Sequence, residues 1–193
     1  MLRRLSKLVP SSRLNMFIQG LFSSKVLYCL QVFGNVWGFG YDESSRRYSA
    51  FSVEDLRKLQ VLQNKVCRLK TGLGYDHSTE SLLRTSRELS MHQLIAYHTL
   101  VTVHKIKVNE QPEYLDKRME FCTEKENFGR ASRQVDSIYT RMTTLTISRS
   151  GFVYRGSLLW NQLPNWLRTL KQTKKFKTEV KKWEVNNVGI KPG

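Results

Sequence analysis

A chain of 193 residues that is 40% hydrophobic and 11% aromatic can bury one core of ordinary size, which excludes a disordered tail. Its 32 Lys and Arg against 16 Asp and Glu leave a formal charge of +16, which points to a polyanionic partner, either nucleic acid or an anionic membrane surface. Cys29, Cys67 and Cys122 are odd in number and widely spaced; they fit neither a disulfide framework nor a zinc knuckle, and they suit a reducing intracellular compartment, nucleus or cytoplasm.

Residues 1 to 41 carry five basic and no acidic side chains, Arg3, Arg4 and Lys7 among them. The first 25 residues are Arg-rich, Ser-rich and acid-free, as a mitochondrial transit peptide is, so a mitochondrially targeted basic protein is one alternative. Leu14, Phe17, Ile18, Leu21, Phe22, Val26 and Leu30 repeat with helical spacing and predict one or two helices over 12–33, broken near Gly20 to Ser24. The most apolar run, Val26 to Tyr41, is interrupted by Gln31, Asn35 and three glycines, which speaks against a membrane span. Tyr41 to Ser49 reads as a polar loop.

The clearest helix follows, with Ser52 as cap, Asp55 three residues on, an inward stripe of Leu56, Leu59, Leu62, Val66 and Leu69, and Gly72 as its end. Its outer face is basic, and Lys65 and Arg68 are candidate phosphate contacts, although a solvated face uses the same residues. A short helix is predicted near Ser81 to Thr85 and a longer one from Met91 to Lys107, opened by a Ser90/Gln93 capping box. His92, His98 and His104 lie six residues apart, each turned about 240° from the last, so they do not make a helical metal pair. Pro112 ends this block. Tyr114 to Arg130 reads as a charged connector with room for one helix, and Val135, Ile138, Thr143, Thr144, Thr146 and Ile147 predict an extended element near 135–155.

Gly151 to Arg168, GFVYRGSLLWNQLPNWLR, concentrates aromatic residues without a single acid, and the rest of the chain reads as the scaffold leading to it. Gly156 predicts a break after Phe152 and Tyr154, Ser157 a cap for a short helix holding Trp160, and Pro164 a further turn. Phe152, Trp160 and Trp166 need a core, and Arg155 and Asn161 need partners if buried beside them. This reading makes the stretch a packing motif before a ligand contact. Thr173 opens a last helix with Phe176, Val180 and Trp183 inward. Residues 130 to 193 carry thirteen basic and three acidic side chains, so Arg155, Arg168, Lys171, Lys174, Lys175, Lys177, Lys181 and Lys182 are candidate nucleic-acid contacts.

The run Phe152-x-Tyr154-Arg155-Gly156-x3-Trp160-Asn161-x-Leu163-Pro164-x2-Leu167-Arg168, followed by Phe176-Lys177, resembles the C-terminal end of reverse transcriptases from LINE-type, jockey-like retrotransposons without long terminal repeats. Leu2 to Pro10, Ser24 to Tyr28, and Leu59-Gln60-x2-Gln63-Asn64-Lys65-x2-Arg68 fall in the order that family shows after its polymerase palm, so the resemblance spans nearly the whole chain. It departs at Phe33, where the family has Trp, at Cys29, where it has Gly, and over 141–151. The resemblance implies the helical thumb and C-terminal segment, which in the parent enzymes grip the template-primer duplex and the element's RNA. A polymerase also needs three palm aspartates to hold a pair of Mg²⁺ ions. Tyr41-Asp42-Glu43 is only an echo of that set, and no phosphate loop, nucleophile elbow or zinc helix pair is found.

The expectation is therefore a mainly helical, thumb-like fold over 1–111, a charged connector over 112–150, and the aromatic motif with a basic helix over 151–193. The expected function is non-catalytic nucleic-acid binding, without metal or cofactor; an interaction module, or a decayed copy without selected activity, is the alternative.

Overall fold

The computed structural model describes residues 13, 16, 18, 20 and 24 singly, and then 40–42, 47–49, 53–109, 112–122, 136–140 and 152–186. The fold is mainly helical. Arg13, Met16, Ile18 and Ser24 are helical, in line with the N-terminal periodicity, and Ile18 is buried against Val66. Strands β1 (Gly40–Asp42) and β2 (Arg47–Ser49) pair antiparallel with Tyr41 opposite Tyr48, so a hairpin replaces the expected polar loop. Strand-favouring tyrosines on either side of the polar run at 43–46 supply what a hairpin needs.

Helix α1 (Val53–Thr71) ends at Gly72, whose φ of +73° and N–H bond to the Arg68 carbonyl at 2.8 Å make a left-handed cap that glycine adopts without strain. The cap proposed at Ser52 lies outside the described residues. Leu62, placed on the inward stripe by spacing alone, is 45% exposed. Amides take that side instead. Gln63 donates to the Leu89 carbonyl at 2.7 Å, Asn64 to Thr79 Oγ1 at 3.0 Å, and Gln60 accepts the Met91 N–H at 2.9 Å. These bonds tie α1 to the starts of α2 (Thr79–Ser86) and α3 (Met91–Asn109). Ser78 caps α2 through Ser81 N, and α3 opens on the predicted capping box, Gln93 N to Ser90 Oγ at 3.3 Å and Ser90 N to Gln93 Oε1 at 2.9 Å. Cys67 is buried on α1 and behaves as a small hydrophobe, its thiol pushed up by desolvation.

Helix α3, rather than the aromatic stretch, is the centre of the molecule. Met91, Ile95, Leu100, Val103, His104 and Ile106 are buried on several of its sides, as in a helix enclosed by others. It packs against α1, α5 and α7. After Pro112 comes one turn, α4 (Glu113–Asp116), then β3 (Phe121–Cys122), which pairs antiparallel with β4 (Ser137–Ile138), Phe121 opposite Ile138. Of the extended element expected near 135–155, Ser137–Ile138 is a strand, 141–151 lies outside the described residues, and 152–155 is helical instead.

The aromatic stretch corrects the sequence reading. Helix α5 (Phe152–Gln162) runs straight through Gly156, and Ser157 is no cap: its hydroxyl donates to the Val153 carbonyl at 2.7 Å. Gly156 eases the approach of its neighbours, since a Cβ there would lie 3.0 Å from Val103 Cγ2 and 3.1 Å from Met119 Cε. In Gly156→Ala the helix-propensity gain of about 1 kcal/mol offsets this crowding, whereas Gly156→Val should destabilise by about 1–3 kcal/mol through overpacking. Thermal melts of the two variants check the pair; equal melting temperatures would mean α3 is not held against α5 at this point. Pro164 leads the single turn α6 (Asn165–Arg168), and α7 (Thr173–Asn186) closes the chain's described part. Phe152, Trp160, Leu163, Leu167, Phe176 and Val180 form one core with Val103, Ile106, Met119 and Ile138, so stretches separated by composition share one apolar interior.

Candidate nucleic-acid interface

Trp160 and Asn161 explain why the aromatic motif is built as it is. The Trp160 indole, fully buried, donates to the Asp136 carbonyl at 2.8 Å. The Asn161 side chain acts as a strand edge for Ile138, accepting its N–H and donating to its carbonyl, both at 2.8 Å. Asp136 takes φ +57°, and its carboxylate meets Lys107 Nζ at 2.8 Å; Lys107 also donates to the Arg168 carbonyl at 2.9 Å. The motif thus pins β4 and α6 to α3. Of the two polar groups that the sequence required to be satisfied, the Asn161 amide has both its partners on Ile138, and the Trp160 indole is satisfied as well.

Burial withdraws Arg168 from the candidate surface and half covers Arg155. Arg168 is 3% exposed, because the one-turn helix α6 directs Leu167 and Arg168 into the core; its guanidinium bonds Asn165 Oδ1, while Nε and Nη1 have no hydrogen-bond partner. Burial holds its pKa below the usual arginine value, with Asp136 opposing. Arg155 is half-buried on α5, and desolvation lowers it to about 10. Trp166 moves the other way: expected in the core, it is 53% exposed. Arg68 is occupied as a clasp, donating to the carbonyls of Gly74 and His77 with its guanidinium carbon 4.8 Å from the Tyr75 ring centre. Lys65 is exposed on α1, and Tyr154 is half-buried. Arg3, Arg4 and Lys7 lie outside the described residues.

What remains is α7. Phe176 and Val180 are fully buried, with Trp183 packed at the core's edge, so positions i, i+4 and i+7 face α3 as the periodicity predicts. The Phe176 ring stacks on His104 at 4.0 Å, and His104 Nε2 bonds the Leu170 carbonyl at 2.7 Å. That docking turns Lys174, Lys175, Lys177, Lys181 and Lys182 to solvent, with Lys171 exposed just before them. Lys182 pairs with Glu179 at 2.9 Å. Lys174, Lys177 and Lys181, at i, i+3 and i+7, form a separate ridge with no acidic partner among the described residues. On α3, His98 is held below its ordinary pKa by burial first, then by Lys177 and Lys105. Lys105, exposed on α3, therefore extends the basic field of α7 across the helix pair; sequence spacing did not reveal it because the two helices meet only in the fold.

His104 carries its proton on Nε2, leaving Nδ1 buried without a partner; burial, then Lys107, lower its pKa, with the Leu170 bond opposing. A histidine whose folded pKa lies below its unfolded 6.5 stabilises the fold above that value, and the contribution is lost as pH falls and the unfolded chain takes up protons first. His98 acts in the same direction. The melting temperature should therefore be lower near pH 5 than near pH 7.5, and the difference should shrink in His104→Gln. A flat profile in the wild type would sink this account. Among the described residues no three His, Cys, Asp or Glu side chains converge on a metal-sized site, and no helix is long and apolar enough to cross a membrane.

Comparison with protein-family models, with curated proteins and with solved structures finds no match to this chain.

Proposed function

We propose that this chain is a non-catalytic nucleic-acid-binding unit of the reverse-transcriptase thumb kind, gripping the phosphate backbone of RNA or of a template-primer duplex through α7. The observation that carries the reading is the ridge of Lys174, Lys177 and Lys181, presented by the docking of Phe176 and Val180 and with no acidic partner among the described residues. From Ser137 to Thr178 the chain contains no Asp or Glu, so the surface leading into α7 adds no repulsion for phosphate. Lysines of this sort neutralise phosphates and release counterions, which makes affinity steeply salt-dependent and nearly indifferent to base sequence.

The test is fluorescence anisotropy of a labelled RNA hairpin across a salt series. Each phosphate contact contributes about −0.9 to the log-log slope on duplex and about −0.7 on a single strand. Replacing Lys174, Lys175, Lys177, Lys181 and Lys182 by Gln should reduce the slope by several units, and replacing the 174/177/181 ridge alone should account for most of that change. Circular dichroism should show the fold retained. Identical slopes in wild type and variant would move the binding elsewhere, and no RNA affinity at moderate salt would favour an interaction module instead. Purified protein is expected to extend no primer with any divalent metal, for want of the aspartate set; reproducible extension would overturn the non-catalytic reading.

A further inference from the structure

We infer that Trp166 is a stacking platform for an unpaired base, so that the nucleic acid this surface takes is single-stranded, or has a single-stranded stretch where it passes α6. The inference rests on the phosphate-gripping reading of α7 and narrows its ligand. An indole is the most valuable apolar side chain a core can bury, yet this one is 53% exposed while its neighbours Leu167 and Arg168 are almost wholly enclosed. Its mount is stiff. The Leu167 N–H bonds the Pro164 carbonyl at 3.0 Å, the Thr169 N–H bonds the Asn165 carbonyl at 3.1 Å, and Lys107 anchors the Arg168 carbonyl at 2.9 Å. Thr169 Oγ1 also donates to the Trp166 carbonyl at 3.2 Å. The ring is thus presented from a single pinned turn.

What surrounds it in the chain fits a nucleotide strand better than a protein surface. Asn165, Thr169, Lys171, Gln172, Lys174 and Lys175 are all exposed, and Lys171 lies on the four-residue link between α6 and α7. An aromatic face joined to a row of lysines with no acid among them offers π-stacking for a base and point charges for the phosphates that follow it. The ridge from Lys174 to Lys181 spans seven residues, about 10 Å of helix axis, and the long side chains extend its reach to a few successive phosphates. In a duplex every base is already stacked between its neighbours, so the ring has no face to meet, and only the lysines would act.

The experiment measures anisotropy of a labelled oligouridine of about twelve residues and of a blunt duplex, each with wild type, Trp166→Ala and Trp166→Phe. Stacking on one ring is worth roughly a 5- to 150-fold change in affinity. The expected result is a loss of that order for Trp166→Ala on the single strand, its recovery in large part by Trp166→Phe, and little change on the duplex. The salt slope of Trp166→Ala should match the wild type, since an indole releases no counterion, and so should its melting temperature. An equal loss on duplex and single strand, or wild-type affinity of Trp166→Ala for both, overturns the inference. In the second case a salt slope that still drops in the lysine variant leaves the α7 reading standing, which separates the two failures. Wild-type protein that binds neither oligomer overturns both.

Discussion

Trp160→Ala should lower the free energy of unfolding by ~3–5 kcal/mol, the range for emptying a site this large, from a total that for a single domain is only about 5–15 kcal/mol. The ring is fully buried, packs edge-on to Phe121 and tilted against Phe176, and donates its N–H to the Asp136 carbonyl. Loss of the ring therefore removes contact with β3 and α7 together, and leaves a carbonyl unpaired. Trp160→Phe separates these contributions: it retains most of the volume but not the N–H, and should cost about 1–3 kcal/mol. Urea titrations followed by circular dichroism give both values. An unchanged midpoint for the alanine variant, combined with lost RNA binding, would make Trp160 a ligand-stacking ring and refute its placement at the centre of the core.

The second large effect is expected at Asp136. Lys107 pairs directly with this carboxylate, which also raises the pKa of the buried Arg168 against the desolvation that lowers it, and Arg168 already has two nitrogens without hydrogen-bond partners. Asparagine tolerates the left-handed backbone at φ +57° as well as aspartate does, so Asp136→Asn isolates the charge from the conformation. Removing one member of a fully buried pair is worth ~3–5 kcal/mol; Lys107 and Asp136 are each about one fifth exposed, so about 2–3 kcal/mol is expected. Lys107→Met in the Asp136→Asn background should cost less than the sum of the two single changes, because the second substitution removes a cation the first left stranded. Strict additivity would show that Lys107 and Asp136 do not interact in solution.

How much of this was legible in the residues depended on whether the information was local. The Ser90/Gln93 box, the Gly72 stop and the inward row of Phe176, Val180 and Trp183 were read correctly, since each rests on spacing within one helix. The errors arose where a distant element decides. Gly156 looks like a breaker until Val103 and Met119 come close to it, Arg168 looks like a surface cation until α6 turns it into the core, and Leu62 looks like core until Gln63 and Asn64 find the Leu89 carbonyl and Thr79. Trp166 fails for the opposite reason: hydrophobicity predicts burial, and the turn set by Pro164 holds it outside. For the interface, the lysines of α7 were visible in the charge distribution, but their junction with Lys105 across His98 was not.

The docking of α7 on α3 also sets a clock. His104 waits for Leu170 and Phe176, and Lys107 for the carbonyl of Arg168, partners 61 to 72 residues further along the chain by position, whereas α1, α2 and α3 close on near neighbours. At ribosomal speeds of roughly 5–20 residues per second, α3 spends on the order of 3–15 s with its apolar flank uncovered. During translation that flank is a target for chaperones and for aggregation, and in refolding the α3–α7 junction is expected to form late, after the local helices. Crowding several nascent chains on one message would therefore be more hazardous to this protein than its equilibrium stability suggests.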